Sequence, residues 1–412
     1  MTNFHDPIRH LKYLRQSLSQ DNEAIGFFIS AGCPLSVPMP TGQWPLIPDV
    51  KNLTKAVNLS LAGNDRYQVL LTELAKSGKD IENIEDVLSF LRGLLAVSVG
   101  GNVRGLSEEE LKNLETTICT EIVGELDVPL PVEETPYHRL STWVRSIDRK
   151  IPIEMFTTNY DLLLEQALDN LEVPYFDGFV GSHRSFFDLR AVEDGLIPAH
   201  WSRLWKIHGS INWYQEVRNG ERKVSRSSHP VKDASHLIYP SHLKYEESRK
   251  MPYLALIDQL NRFIRRKSSF LVLCGYSFND SHLNDAIVSA LKSNPTGMVL
   301  ALQFGSFEYS AEEEKNGFGK GLRYPKAYEL AARQHNLNVW TDDRAIIGTN
   351  LGSWSTPKDS NEEDKDIKLF VSSIKVEGEP GATIPHVKLG DFSEFTTFLK
   401  RFIGLGSGDQ DA

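Results

Sequence analysis

The chain has 412 residues, with 45 Lys and Arg against 55 Asp and Glu, and a formal net charge of −10. Single cores stop growing near roughly 250–300 residues, so two or three compact units are expected. A composition of 40% hydrophobic and 24% charged residues excludes global disorder. The acidic balance argues against a nucleic-acid footprint over the whole chain. No apolar run approaches the roughly 18–20 residues of a membrane span, and the opening MTNFHDPIRHLKYLRQSL lacks the apolar core of a signal peptide. Cys33, Cys119 and Cys274 lie 86 and 155 residues apart. They make neither a disulfide framework nor a CxxC pair, which excludes a cysteine-based structural zinc and fits a reducing cytoplasm.

In chain order, His5–Gln20 predicts a helix with Leu11, Leu14 and Leu18 on one face. Ile25–Ile29 is a short unbroken apolar run, the pattern of a strand buried on both faces. It ends in Ser30-Ala31-Gly32-Cys33-Pro34, small residues before a proline suited to the first turn of a helix. From Asp49 to Arg149 the pattern is helical, with a helix start at Asn83 and a capping box at Ser107–Glu110. This stretch reads as an insertion lobe. Strand patterns return at Ile151–Phe156, Arg203–Ile207, Ser269–Cys274 and Met298–Phe304, and helical patterns at Leu162–Leu171 and Leu283–Lys292. A helix–strand pair follows over Tyr328–Trp340. Strands alternating with helices predict an α/β fold, a Rossmann-like parallel sheet with helices on both faces.

Two segments read as surface. Residues 218–250 carry eight Lys/Arg against four acids, with Asn219-Gly220 as a hairpin turn, and Ser353–Asp366 is an acidic loop. A solvated face is the ordinary reading of such charge, and direct nucleic-acid binding by the basic segment is the minor one. Gly404–Ala412 reads as a frayed tail.

Polar residues collect where the buried strands end. Ligands of open α/β sheets bind beyond the carboxyl ends of the strands, so these clusters are the candidate site. The small residues after Ile29 would allow close backbone approach, and a helix N-terminus there would offer amides to an anion. Thr157-Thr158-Asn159-Tyr160-Asp161 reads either as a ligand loop or as a helix cap. His208 reads as a functional imidazole or as a satisfied interior one. Gly275-Tyr276-Ser277-Phe278-Asn279-Asp280 reads as a ligand loop or as a helix entry, with Asp280 near the cap.

Taken together, the ordered clusters resemble the sirtuin-like (silent information regulator 2) NAD-binding family, specifically its bacterial anti-phage branch of NAD-consuming proteins. Ser30–Pro34 is similar to the family's GAGxS motif, and Leu46-Ile47-Pro48-Asp49 to its GIPD segment. Thr158, Asn159 and Asp161 match its Thr/Asn/Asp motif. Lys206-Ile207-His208-Gly209 is similar to Lys-Leu-His-Gly, and Gly275–Asp280 matches GYSFxD. Asn83-Ile84-Glu85 within a helical insertion also resembles this branch. The likeness spans roughly residues 25–300. Ser30 stands in place of the family's first glycine and Pro34 in place of its serine, which removes a hydroxyl and a backbone donor near the phosphates. The four zinc cysteines of protein-deacylating sirtuins are missing.

The resemblance implies a glycohydrolase that cleaves NAD to nicotinamide and ADP-ribose, an NAD-depleting effector of abortive infection. His208 would be the general base, Asn159 would hold water and ribose hydroxyls, and Asp161 would support the site electrostatically. Ala31, Gly32, Asp49, Thr158, Gly275, Ser277 and Phe278 would bind the cofactor, which is here the substrate, and no metal is expected. The implied organisation is a Rossmann-like domain over 1–49 and 150–345, a helical lobe over 50–149, and an acidic loop, helix and tail over 346–412. The implied setting is cytoplasmic. Too few residues follow position 300 for a large fused sensor, so control would come from homo-oligomers or a separately encoded partner such as a HerA-type ATPase. The competing readings are a silent NAD- or ADP-ribose-binding subunit and an NAD-dependent protein deacylase.

Overall fold

The computed structural model describes residues 3–146, 149–218, 221–231, 235–238, 252–356, 365–375 and 383–403. Strand β1 (Asn3–His5) leads into helix α1 (Pro7–Leu18). Asp6 caps that helix by accepting from the amides of Ile8 and Arg9, and Ile8, Leu11, Leu14 and Leu18 form its buried face. Strand β2 (Ile25–Ile29) is buried at every position. Helices α2 (Val50–Ser60), α3 (Asp65–Lys76) and α4 (Ile84–Val97) follow, the last capped by Asn83. The paired two-residue strands β3 (Asn102–Val103) and β4 (Leu106–Ser107) precede α5 (Glu108–Leu126), whose first turn is closed by the Ser107–Glu110 capping box. Helix α6 (Pro136–Ser146) returns the chain to the sheet.

Strand β5 (Glu154–Thr157) begins later than the apolar run from Ile151 suggests. The Ile151 amide donates to Asp21 O, and Pro152 has no amide to give a ladder. Next come α7 (Leu163–Asn170), β6 (Tyr175–Phe176), β7 (Phe179–Val180), β8 (Ser185–Phe187), α8 (Leu189–Asp194) and β9 (Ser202–Lys206). The expected hairpin is β10 (Gly209–Arg218) with β11 (Glu221–Arg226), in register Arg218 to Glu221; its Asn219-Gly220 pair lies outside the described residues. After β12 (Ser235–Ile238) come α9 (Tyr253–Ile264), β13 (Phe270–Cys274), α10 (Ser281–Ser293) and β14 (Met298–Leu302). The remainder is α11 (Ala311–Lys315), α12 (Pro325–Ala331), β15 (Leu337–Trp340), β16 (Arg344–Ile347), β17 (Asn350–Trp354), α13 (Lys365–Lys368), β18 (Val371–Lys375), β19 (Thr383–Val387) and α14 (Phe392–Arg401). Residues 239–250 of the basic stretch 218–250, the centre of the acidic loop at 357–364 and the tail 404–412 lie outside the described residues.

The main sheet has ten strands in the order β1-β17-β16-β15-β14-β13-β2-β5-β9-β6. It is parallel except around β16, which runs antiparallel to both neighbours, so the sheet is mixed at one end. Its centre, β9-β5-β2-β13-β14-β15, follows the 3-2-1-4-5-6 order of doubly wound folds, with the reversal between β2 and β13. Helices cover both faces. Phe27 of β2 meets Trp143 of α6 at 5.3 Å and Phe395 of α14 at 6.1 Å, while its neighbour Phe28 points oppositely, into the cluster built by α9 and α10. A second, antiparallel sheet of five strands, β12-β10-β11-β8-β7, was not foreseen beyond its central hairpin.

One consequence of the α1 packing is measurable. Burial pushes the His10 imidazole down to about 4 from an ordinary 6.5, with His5 and Arg9 adding to the effect. Between those values the unfolded chain binds a proton that the folded chain does not, so stability is full above 6.5 and is lost as pH falls toward 4. His10→Gln is expected to flatten the fall in thermal midpoint between pH 7 and pH 4.5; a slope equal to that of the wild type would refute this.

Candidate active site

Register brings the polar clusters to one edge of the sheet. Ile29 pairs with Cys274 on one side and Thr157 on the other, and Thr157 pairs with Lys206. The residues that follow, from Ser30, Thr158, Ile207 and Gly275 onward, therefore leave four adjacent strands at one level. Beyond them lies a cleft of about 230 Å³, below the roughly 300–1,000 Å³ usual for pockets that enclose a whole drug-sized ligand. Ser30, Ala31, Pro34, Thr158, Asn159, Tyr160, Asp161, His208, Ser277 and Asp280 line it from the sheet side. Ile47, Pro48, Asn83 and Glu85 line the opposite wall.

The loop after β2 departs from expectation. Instead of a helix with unspent amides, Cys33–Ser36 is a single 3-10 turn. The Ser30 amide donates to Cys274 O, Gly32 to Gly275 O, and Cys33 to Ser30 O. The first two hold the loop to the end of β13 and the third closes the turn, so none is available to a phosphate. Gly32 and Gly275 do not line the cleft; they form its floor, backbone against backbone. A Cβ on Gly32 would lie 2.8 Å from Gly275 Cα. Ser30 bonds its hydroxyl to that of Thr158 at 2.8 Å, tying the first two clusters together.

Asn159 spends its amide group on protein acceptors. Nδ2 donates to Ser30 O at 3.4 Å, and the side chain also bonds the Asp161 carboxylate. Asp161 in turn accepts from the Leu163 amide at 3.0 Å. Burial raises its pKa, and Lys206 acts in the opposite sense. Lys206 itself is 1% exposed and sits beneath the cleft, bonded to the Asp161 carbonyl and 2.7 Å from Glu165 Oε1. Its role is to brace the loop after β5, since nothing places it at the cleft surface.

His208 is buried near two aromatic rings. Tyr160 and Tyr253 each lie 6.4 Å away, tilted by 31° and 22°. Nε2 is 3.3 Å from Asp280 Oδ2, but off the line of a hydrogen bond. Tyr160 donates its hydroxyl to Glu85 Oε1 at 3.1 Å, which joins the helical insertion to the sheet edge. Burial, with Glu85 adding, holds the Tyr160 hydroxyl well above its ordinary pKa, so it remains a donor.

Asp49 and Phe278 hold backbone segments in place. Asp49 caps α2 by accepting from the Asn52 amide at 2.8 Å, next to the cleft residues Pro48 and Val50. Phe278 is 1% exposed at φ +61°, and its carbonyl accepts from Asn284 Nδ2, so it anchors its loop from below while Ser277 and Asn279 face the cleft. In the sequence, Tyr160 and Glu85 stand out only as members of the loop after β5 and of Asn83–Glu85, with no role in the site assigned to either. A tyrosine in a polar loop and a carboxylate in the first turn of α4 carry no local signal of a shared partner. Among the described residues no cluster of three or more His, Cys, Asp or Glu is arranged to hold a metal, and no helix is long and apolar enough to cross a membrane.

Comparison with protein families matches residues 153–323 to the SIR2-like domain. That span, similar to the SIR2-like domain, holds Thr158, Asn159, Asp161, His208 and the loop from Gly275 to Asp280, and the likeness fits an NAD-related function. Strand β2, Ser30–Pro34 and the helical wall of the cleft lie outside the match. A search of curated proteins found no match to the chain.

Proposed function

We propose that the chain is an NAD glycohydrolase that releases nicotinamide and leaves ADP-ribose. The observation that carries the reading is that His208 and Asn159, from adjacent strands, line one cleft at the reversal of the sheet. The bond broken joins nicotinamide to ribose. Nicotinamide departs neutral, so the protein need not protonate it; the demand is to support an oxocarbenium-like ribose and deliver water to its open face. With its NH₂ engaged by Ser30 O and the Asp161 carboxylate, Asn159 would use Oδ1 to accept from water or a ribose hydroxyl. His208 takes the water's proton as the oxygen attacks. The cleft's volume suits one end of the dinucleotide, which we take to be the nicotinamide-ribose end.

Asn159→Ala is expected to lower nicotinamide release by about 10²-fold or more, since lost alignment of water and ribose has that effect. Release at the wild-type rate would remove Asn159 from the mechanism. The governing experiment follows nicotinamide release from NAD by the purified chain, with and without the products of neighbouring genes. Tight NAD binding with no release under any of these conditions would favour a silent binding subunit.

The missing zinc cysteines separate this reading from deacylation. The three cysteines are all buried, and burial pushes the Cys119 thiol up to about 12. Elemental analysis is expected to find no stoichiometric zinc, and stoichiometric zinc would reopen the deacylase reading. We place the activity in cytoplasmic anti-phage defence, where NAD loss halts an infected cell. Such an effector needs control, which we assign to homo-oligomerisation or to a separately encoded HerA-type ATPase; the motif resemblance supports both.

A further inference from the structure

We propose that Asp280 is a positioning residue that fixes the tautomer of His208, so that Nδ1 is the nitrogen that serves the cleft. The inference rests on the glycohydrolase reading for its catalytic consequence, but its geometry stands separately. Nε2 of His208 lies 3.3 Å from Asp280 Oδ2, with the imidazole 5% and the carboxylate 10% exposed. Nε2 is sealed from solvent and has no aligned hydrogen-bond partner. The carboxylate cannot swing away, because Oδ1 accepts from the amides of His282 and Leu283 and so caps the thirteen-residue helix α10. The Tyr160 and Tyr253 rings each lie 6.4 Å from the imidazole, centroid to centroid.

A carboxylate facing one imidazole nitrogen favours the proton on that nitrogen. Neutral His208 then carries Nε2–H toward Asp280 and a bare Nδ1. In the reaction Nδ1 accepts a proton from water as the water oxygen bonds to the ribose anomeric carbon. The N-glycosidic electron pair leaves with nicotinamide, the resulting imidazolium lies against the Asp280 carboxylate, and the proton is later released to solvent. One side chain thus caps a helix and orients the base.

The test is Asp280→Asn. Asparagine caps helices as well as aspartate, so Oδ1 can keep its bonds to His282 and Leu283 and the fold should survive. The new NH₂ would face Nε2, donate to it, and move the imidazole proton to Nδ1, where it blocks the base. The expected result is a loss of nicotinamide release of about 10²–10⁴-fold with KM for NAD little changed, the size of effect a wrong tautomer produces. In ¹⁵N spectra, with His208 signals assigned by their loss in His208→Ala, the wild type should show Nε2–H and the variant Nδ1–H. The same tautomer in both proteins, or Nδ1–H in the wild type, overturns the proposal even if turnover falls. Should the variant fail to fold, the wild-type spectrum alone decides. A wild type that never releases nicotinamide would refute the glycohydrolase reading and leave this spectroscopic test intact.

Discussion

Replacing His208 by alanine is expected to reduce nicotinamide release by about 10²–10⁴-fold, the usual contribution of a positioned proton acceptor. NAD binding should persist, because the imidazole is one of many cleft groups and Asp280, which it faces, stays held by the α10 amides. The fold should persist too. His208 follows β9 and leaves no hydrogen-bonded protein partner stranded when removed; Asp280 keeps its bonds to the α10 amides. The measurement pairs nicotinamide release with NAD binding by calorimetry, under whatever condition activates the wild type. Release unchanged in His208→Ala would end the proposed mechanism, whereas release and binding lost together would assign the imidazole to substrate binding.

How much of this site could be read from sequence depends on the range of the contacts involved. Ile25–Ile29 and Phe270–Cys274 were legible nearly to the residue, because a strand buried on both faces leaves an unbroken apolar run. Once those strands were placed, the polar clusters that end them had to meet at one sheet edge. The pairings across that edge were not legible. His208 and Asp280 are 72 positions apart, and Tyr160 and Glu85 are 75. At each of these positions a local cap or an interior polar residue explained the sequence as well. The loop after β2 failed for the same reason. Its small residues signalled close approach correctly, but the approaching group is the backbone at Gly275, which takes amide donation that an anion would otherwise receive. The five-stranded sheet escaped because β7 and β8 are two and three residues long, too short to show alternation.

That floor of paired glycines is where a single methyl group should do most damage to stability. Gly275 adopts φ +66°, a conformation that costs a non-glycine residue about 1–2 kcal/mol. A Cβ there would also sit 2.7 Å from Cys33 N and 2.9 Å from Gly32 Cα, contacts with backbone that no side-chain rotation relieves. Relief by backbone shift adds about 1–3 kcal/mol, so Gly275→Ala is expected to cost about 2–5 kcal/mol in denaturant unfolding. Gly32→Ala is the informative partner. Its Cβ would meet Gly275 Cα at 2.8 Å, but Gly32 has φ −75°, which any residue adopts. It therefore incurs the clash without the backbone strain and should be milder by about 1–2 kcal/mol. Both changes push β2 and β13 apart at their carboxyl ends, where the Gly32 amide donates to Gly275 O, and both should lower nicotinamide release by separating Ala31 from Ser277. Wild-type stability in Gly275→Ala, or equal losses in the two variants, would mean that the crevice floor is not the close-packed glycine contact described.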